Sequence, residues 1–114
     1  MNQEAHDILV DASLKGIPKC KNILAVGPAR CVQGVLLEAA GVAVCGPEAG
    51  TIKWVNKAVK VFTDFGIVRS FVPCPHGCSE KFTEMGLMLH LNNDHDDDFL
   101  DIARKLLVVD PTTA

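Results

Sequence analysis

Apolar residues near the start of the chain recur at the helical interval: Ala5, Ile8, Leu9 and Ala12 stand at i, i+3, i+4 and i+7 and share one face. A helix over residues 2–15 is predicted, closed by Gly16, which accepts a left-handed backbone, and by Pro18, which cannot extend a helix. Ile23 to Val26 is too short for periodicity to separate a strand from a buried loop. A second helix is marked by Pro28 in its first turn, where a missing N–H does no harm, by the stripe Val32, Val35, Leu36 and Ala39, and by Gly41 past its end. Val42 to Cys45 reads as extended or buried, and Gly46-Pro47-Glu48-Ala49-Gly50 as a loop.

Thr51 has N-cap chemistry for a third helix reaching about Phe65. Lys53, Asn56, Lys57, Lys60, Thr63 and Asp64 fall in one arc of that helix, while Ile52, Val55, Val59, Phe62, Trp54, Ala58, Val61 and Phe65 fill the rest. An apolar arc that wide predicts deep burial. Beyond Gly66, Ile67 to Val72 is strand-compatible and leads into Pro73-Cys74-Pro75. Helices follow from about Thr83 to Asn92 and from about Asp97 to Leu107, the latter with the stripe Phe99, Ile102, Ala103, Leu106 and Leu107. The expected fold is mainly α: a small single domain of about five helices with at most short strands. Residues 1–73 form its helical N-terminal part, and residues 74–114 carry a metal-binding knuckle and the last helices.

A length of 114 residues allows one domain, and 48% hydrophobic residues give the chain enough apolar surface to hold a core. No apolar run reaches the ~18–20 residues that cross a bilayer, and the opening MNQEAHDILVDA lacks the basic-then-apolar pattern of a secretory leader. A non-exported, cytoplasmic protein without a membrane partner is expected. The net charge of −3 is the wrong sign for a protein that binds by neutralising phosphates, so nucleic acid is not the expected partner. Charge is also polarised: residues 74–114 carry a net −5 and residues 1–73 a net +2.

The chemistry concentrates in the acidic third. Cys74, Cys78, His90 and His95 follow the spacing C-x3-C-x11-H-x4-H. Two thiolates on a short loop and two imidazoles about one helical turn apart can supply the four tetrahedral ligands that zinc takes, and Gly77 suits the tight loop between the Cys. The competing reading makes all four separate buried side chains. Phe82, four residues after Cys78, and Leu87, three before His90, complete a segment that resembles the two-Cys, two-His zinc finger, with a shortened middle span. That resemblance implies a structural Zn2+ on Cys74, Cys78, His90 and His95; spacing alone does not separate zinc from iron. His76 reads as an exposed knuckle residue, with substitution for either imidazole as its other option.

The order of the helices, the small-residue stretch Arg30-Cys31-Val32-Gln33-Gly34-Val35-Leu36-Leu37-Glu38-Ala39-Ala40 and the run His90-Leu91-Asn92-Asn93-Asp94-His95 also look like small uncharacterised phage and bacterial proteins. This likeness implies no activity, but a virion location if the chain is phage-encoded. Asp94, Asp96, Asp97 and Asp98 lack the Gly and the closing Glu of an EF-hand calcium loop and are expected to serve the N-terminus of the last helix. Lys53, Lys57 and Lys60, with Trp54 nearby, read as a solvated face or a contact for phosphate or an acidic partner. Cys20, Cys31 and Cys45 read as buried or free thiols.

None of the phosphate-cradling or nucleophile-elbow motifs occurs: G-x-x-x-x-G-K-[ST], G-x-G-x-x-G and G-x-S-x-G are all missing. Four protein ligands would also leave no open position on a metal. The expectation is therefore a non-enzymatic zinc-binding protein acting in protein-protein interaction or assembly, through a protein partner or its own copies. A nucleic-acid-binding regulator with a zinc finger is the alternative.

Overall fold

In the computed structural model, which describes residues 1–67 and 71–106, every helix begins on a side chain that accepts a backbone N–H three residues on. Asn2 caps α1 (Gln3–Leu14) through Ala5, and Cys31 caps α2 (Val32–Ala39) through Gly34. Thr51 caps α3 (Ile52–Asp64) through Trp54, Thr83 caps α4 (Glu84–Asn93) through Gly86, and Asp98 caps α5 (Phe99–Lys105) through Asp101. Each cap satisfies one of the four N–H groups that a helix start leaves without an internal partner. Two short antiparallel pairs complete the described elements: β1 (Ala25–Val26) with β2 (Ala29–Arg30), and β3 (Phe71–Pro73) with β4 (Lys81–Thr83). The mainly helical expectation holds, with five helices among the described residues.

The core is built from α1, α2, α4 and α5. Leu9, Leu36, Leu37, Leu87, Met88, Leu91 and Ile102 are fully buried together, each worth about 1.5–3 kcal/mol of removed apolar surface. α1 packs against α5 and α2, and α4 against α2 and α5. Buried polar groups fix how these helices meet. Asn92, fully buried on α4, accepts the Val32 N–H at 3.1 Å and donates to the Cys20 carbonyl at 3.0 Å, joining α4 to the start of α2 and the loop before it. The α-amino group of Met1 pairs with the buried carboxylate of Glu84 at the start of α4.

Two expectations need correction. Pro28 is not in a helix: with Gly27 at φ +55° it forms the tip between β1 and β2, and α2 starts four residues later at Val32, capped by Cys31. A Pro-containing pair joining two short strands satisfies the same local preferences as a helix start, so local sequence did not separate them. α3 is not deeply buried. Ala58 and Phe62 pack inward, but Ile52 is 83% exposed, Val55 45% and Val59 40%, because the core takes up only one flank of the apolar arc. Val42 to Cys45, read as extended or buried, forms no strand but does place Val42 and Val44 in the core, between exposed Ala43 and Cys45. Of the stretch Ile67 to Val72, Phe71 and Val72 are in β3, while 68–70 and Leu107 lie outside the described residues.

Candidate metal centre

β3 ends at Pro73 and delivers Cys74 into the knuckle. The Gly77 N–H donates back to the Cys74 carbonyl at 3.0 Å, and Gly77 takes φ +85°, the turn its sequence position suggested. Cys78 follows, then β4 pairs back on β3 with Val72 opposite Phe82, and Thr83 both ends β4 and caps α4. This strand–strand–helix order brings the knuckle over α4, which carries His90 less than two turns from its start and is anchored in the core by Leu87, Met88 and Leu91.

His95 arrives differently. It lies past the end of α4, not on it, which corrects the expectation of two imidazoles on one helix. The chain reverses there: Asp94 and His95 N–H groups both reach the His90 carbonyl, at 2.9 and 3.3 Å, and Asp96 adopts φ +55°. Asp is one of the few residue types that tolerates this left-handed backbone. The Lys19 ammonium locks the reversal from the N-terminal side, donating to the Asn92 and Asp97 carbonyls at 3.0 and 2.9 Å and to Asp96 Oδ1 at 2.7 Å. The five-residue interval between the two His thus reflects a chain folded back on itself.

The structure brings all four expected residues together, with one donor atom from each within 4.8 Å of the others. His95 Nε2 stands 3.5 Å from Cys74 Sγ, 3.3 Å from Cys78 Sγ and 3.0 Å from His90 Nε2. A tetrahedron with metal–sulfur bonds of ~2.3 Å and metal–nitrogen bonds of ~2.0–2.1 Å has edges of about 3.6 Å between N and S and about 3.3 Å between two N. The donor set fits such an ion. Cys74 is buried, and Cys78, His90 and His95 are half-buried.

The surroundings orient these ligands. The Asp94 carboxylate lies 2.8 Å from His90 Nδ1; taking the proton there leaves Nε2 as a lone-pair donor toward the cluster. Phe82 stacks on the His90 ring with centroids 4.3 Å apart, and His76 stacks on His95 at 3.9 Å and 8°. Burial, then the charges of His76 and His90, hold the His95 imidazole below its ordinary value of 6.5, which favours the neutral ligand form. Burial, then the bond to Cys74 and the charge of Cys74, push the Cys78 thiol above its ordinary 9.0.

His76 is outside the four-donor cluster and is exposed, as expected of a knuckle residue, while one face of its ring packs on His95. The acidic run also divides its work: only Asp98 caps α5, while Asp94 holds His90, Asp96 pairs with Lys19 and Lys21, and buried Asp97 holds His76 and Lys105. Lys19, Asp97 and Lys105 carried no sequence signal as site residues; Asp94, one turn after His90, did. Cys20, Cys31 and Cys45 are free thiols, with Cys31 buried as the α2 cap and Cys45 exposed. No family model, curated protein or solved structure matches the chain, so the likeness to phage and bacterial proteins gains no support. No helix among the described residues is long and apolar enough to cross a membrane.

Proposed function

We propose that the protein is a non-catalytic scaffold whose C-terminal third is held by a structural zinc ion and whose surface docks another protein chain. The observation that carries the reading is the cluster itself: two sulfurs and two imidazole nitrogens within 4.8 Å. A four-coordinate S2N2 set is the chemistry of zinc, and filling every position with a protein ligand leaves none for a substrate. When bound, the ion would supply cross-linking free energy, an apparent ~10–16 kcal/mol in finger peptides against a domain stability of about 5–15 kcal/mol.

The docking part rests on α3, where the exposed Ile52, Val55 and Val59 run beside exposed Lys53 and Lys57. Such a surface suits an acidic partner with an apolar edge, and the acidic third of a second copy has the required charge. Against the alternative of a DNA-reading finger stands α4: none of its residues is exposed, so it has no face to lay in a groove.

Metal analysis of full-length protein purified without added metal tests the reading. One zinc per chain is expected, lost together with folded structure in the Cys74→Ser and His95→Ala variants. Metal-free protein, with both variants as stable as the parent, would defeat it. Val55→Glu should leave stability within about 0.5 kcal/mol, as surface changes do, and abolish concentration-dependent association in sedimentation.

A further inference from the structure

His76 sits between the two Cys of the knuckle, yet its ring is held by α5. Its Nε2 lies 3.0 Å from Asp97 Oδ2 and 2.9 Å from Lys105 Nζ, and the Lys105 ammonium donates to the same Asp97 oxygen at 2.9 Å. With its proton on Nε2 the imidazole donates to the carboxylate; with it on Nδ1 it accepts from the ammonium. In the first tautomer the ring is tied to Asp97, just ahead of α5, and in the second to Lys105 at the end of α5. Asp97, whose carboxylate holds it, is buried, and the Asp97 backbone N–H donates to the Leu91 carbonyl at 3.0 Å, so the anchor does not move independently of α4.

The tied ring lies flat on His95, 3.9 Å away and only 8° from parallel. The other imidazole of the cluster is covered by Phe82, which packs but has no such polar tether. We propose that His76, Asp97 and Lys105 form a latch that retains the ion, an inference that rests on the metal-binding reading above. Loss of the metal requires either that the His95 ring swing out or that the knuckle lift Cys74 and Cys78 away. The first movement unstacks His76, and the second pulls His76 off Asp97. Each route therefore breaks a contact that His76 makes, with His95 in the first and with Asp97 in the second. Because α5 packs on α1, docking of the last helix and retention of the ion become one event, and a partner that displaced α5 would release the metal.

The latch is not a ligand, and this separates it experimentally from the cluster. The full chain is loaded with Co2+, whose visible bands report the S2N2 ligand set, and transfer of the ion to excess EDTA is followed in time. His76→Ala and Asp97→Asn should keep the parent's cobalt bands and release the ion about tenfold faster or more, in the range found for groups that orient metal ligands. The double variant should release no faster than the faster single one, since both break one contact. Should Asp97→Asn fail to fold, His76→Ala and Lys105→Met, at side chains about one-third exposed, decide the matter. Release at the parent's rate, additive effects, or altered cobalt bands would overturn the latch. A parent chain that takes up no Co2+ would instead overturn the metal centre, and the latch with it.

Discussion

Asp94 stands one helical turn beyond His90 and places its carboxylate 2.8 Å from the ring's Nδ1, on the side away from the His95 contact. A carboxylate there decides which nitrogen keeps the proton and where the free lone pair points. Asp94→Ala should therefore lower zinc affinity by about 10–100-fold in a chelator competition while leaving the zinc-saturated circular dichroism unchanged. The side chain is largely exposed and belongs to no core contact, so a large loss of stability with metal bound would speak against this orienting role.

The two displaced acid–base equilibria make metal uptake pH-dependent. With its pKa raised above 9.0, the Cys78 thiol keeps its proton at neutral pH and must lose it to become a ligand, so zinc binding should release at least one proton per ion. Calorimetry in buffers of different ionisation enthalpy measures that number; zero would contradict ligation by Cys78. In metal-free protein the depressed His95 works in the same direction. The unfolded chain takes the imidazole proton first as pH falls through 6.5, so this contribution is whole above 6.5 and is lost from there down to the lower folded value. Asp97 adds a second, more acidic loss. Burial raises its pKa, but the bonds from His76 and Lys105 and the Lys105 charge outweigh burial, and its contribution disappears as pH falls from 3.8 through the lower folded value. Urea titrations of metal-free protein at successive pH values should show stability falling toward acid in both windows.

Asn92 should be hard to replace. Asn92→Ala leaves the Val32 N–H and the Cys20 carbonyl without their partner in the interior, where an unsatisfied group costs about 1–3 kcal/mol. A loss of about 2–4 kcal/mol in urea unfolding is expected, and a change under 1 kcal/mol would show that the three segments meet without it.

Gly34 lies within α2, where Ala would ordinarily gain about 1 kcal/mol in helix propensity. A Cβ there would come within 2.2 Å of the Leu24 carbonyl oxygen, a backbone atom, as the loop before β1 crosses the helix. Gly34→Ala should therefore destabilise by about 1–3 kcal/mol, the usual range for overpacking. A thermal melt with an unchanged or raised midpoint would remove the close crossing.

The apolar stripes of α1, α2 and α5, the Thr51 cap and the knuckle glycine were legible because each is a preference expressed within one turn or one loop. The clustering of Cys74, Cys78, His90 and His95 was legible for a related reason: few residue types bind zinc, and their spacing is short. Pro28 misled because a strand-pair tip and a helix start use the same residue. The burial of α3 misled because an amphipathic stripe shows that a face is apolar, not that a neighbour covers it, and Ile52, Val55 and Val59 stay exposed.

By itself, then, the sequence determined where most of the helices lie and which four side chains carry metal-binding chemistry, since both depend on neighbours close along the chain. Only the tertiary structure decided that His95 is turned back over His90 by the reversal at Asp96, held from outside by Lys19. It also decided that His76 is fastened to α5 through Asp97 and Lys105, more than twenty residues away. Contacts of that kind carry no periodicity. They exist because the core packs α1 against α5 and α4 against both α2 and α5, which brings distant polar groups to one place where each must find a partner.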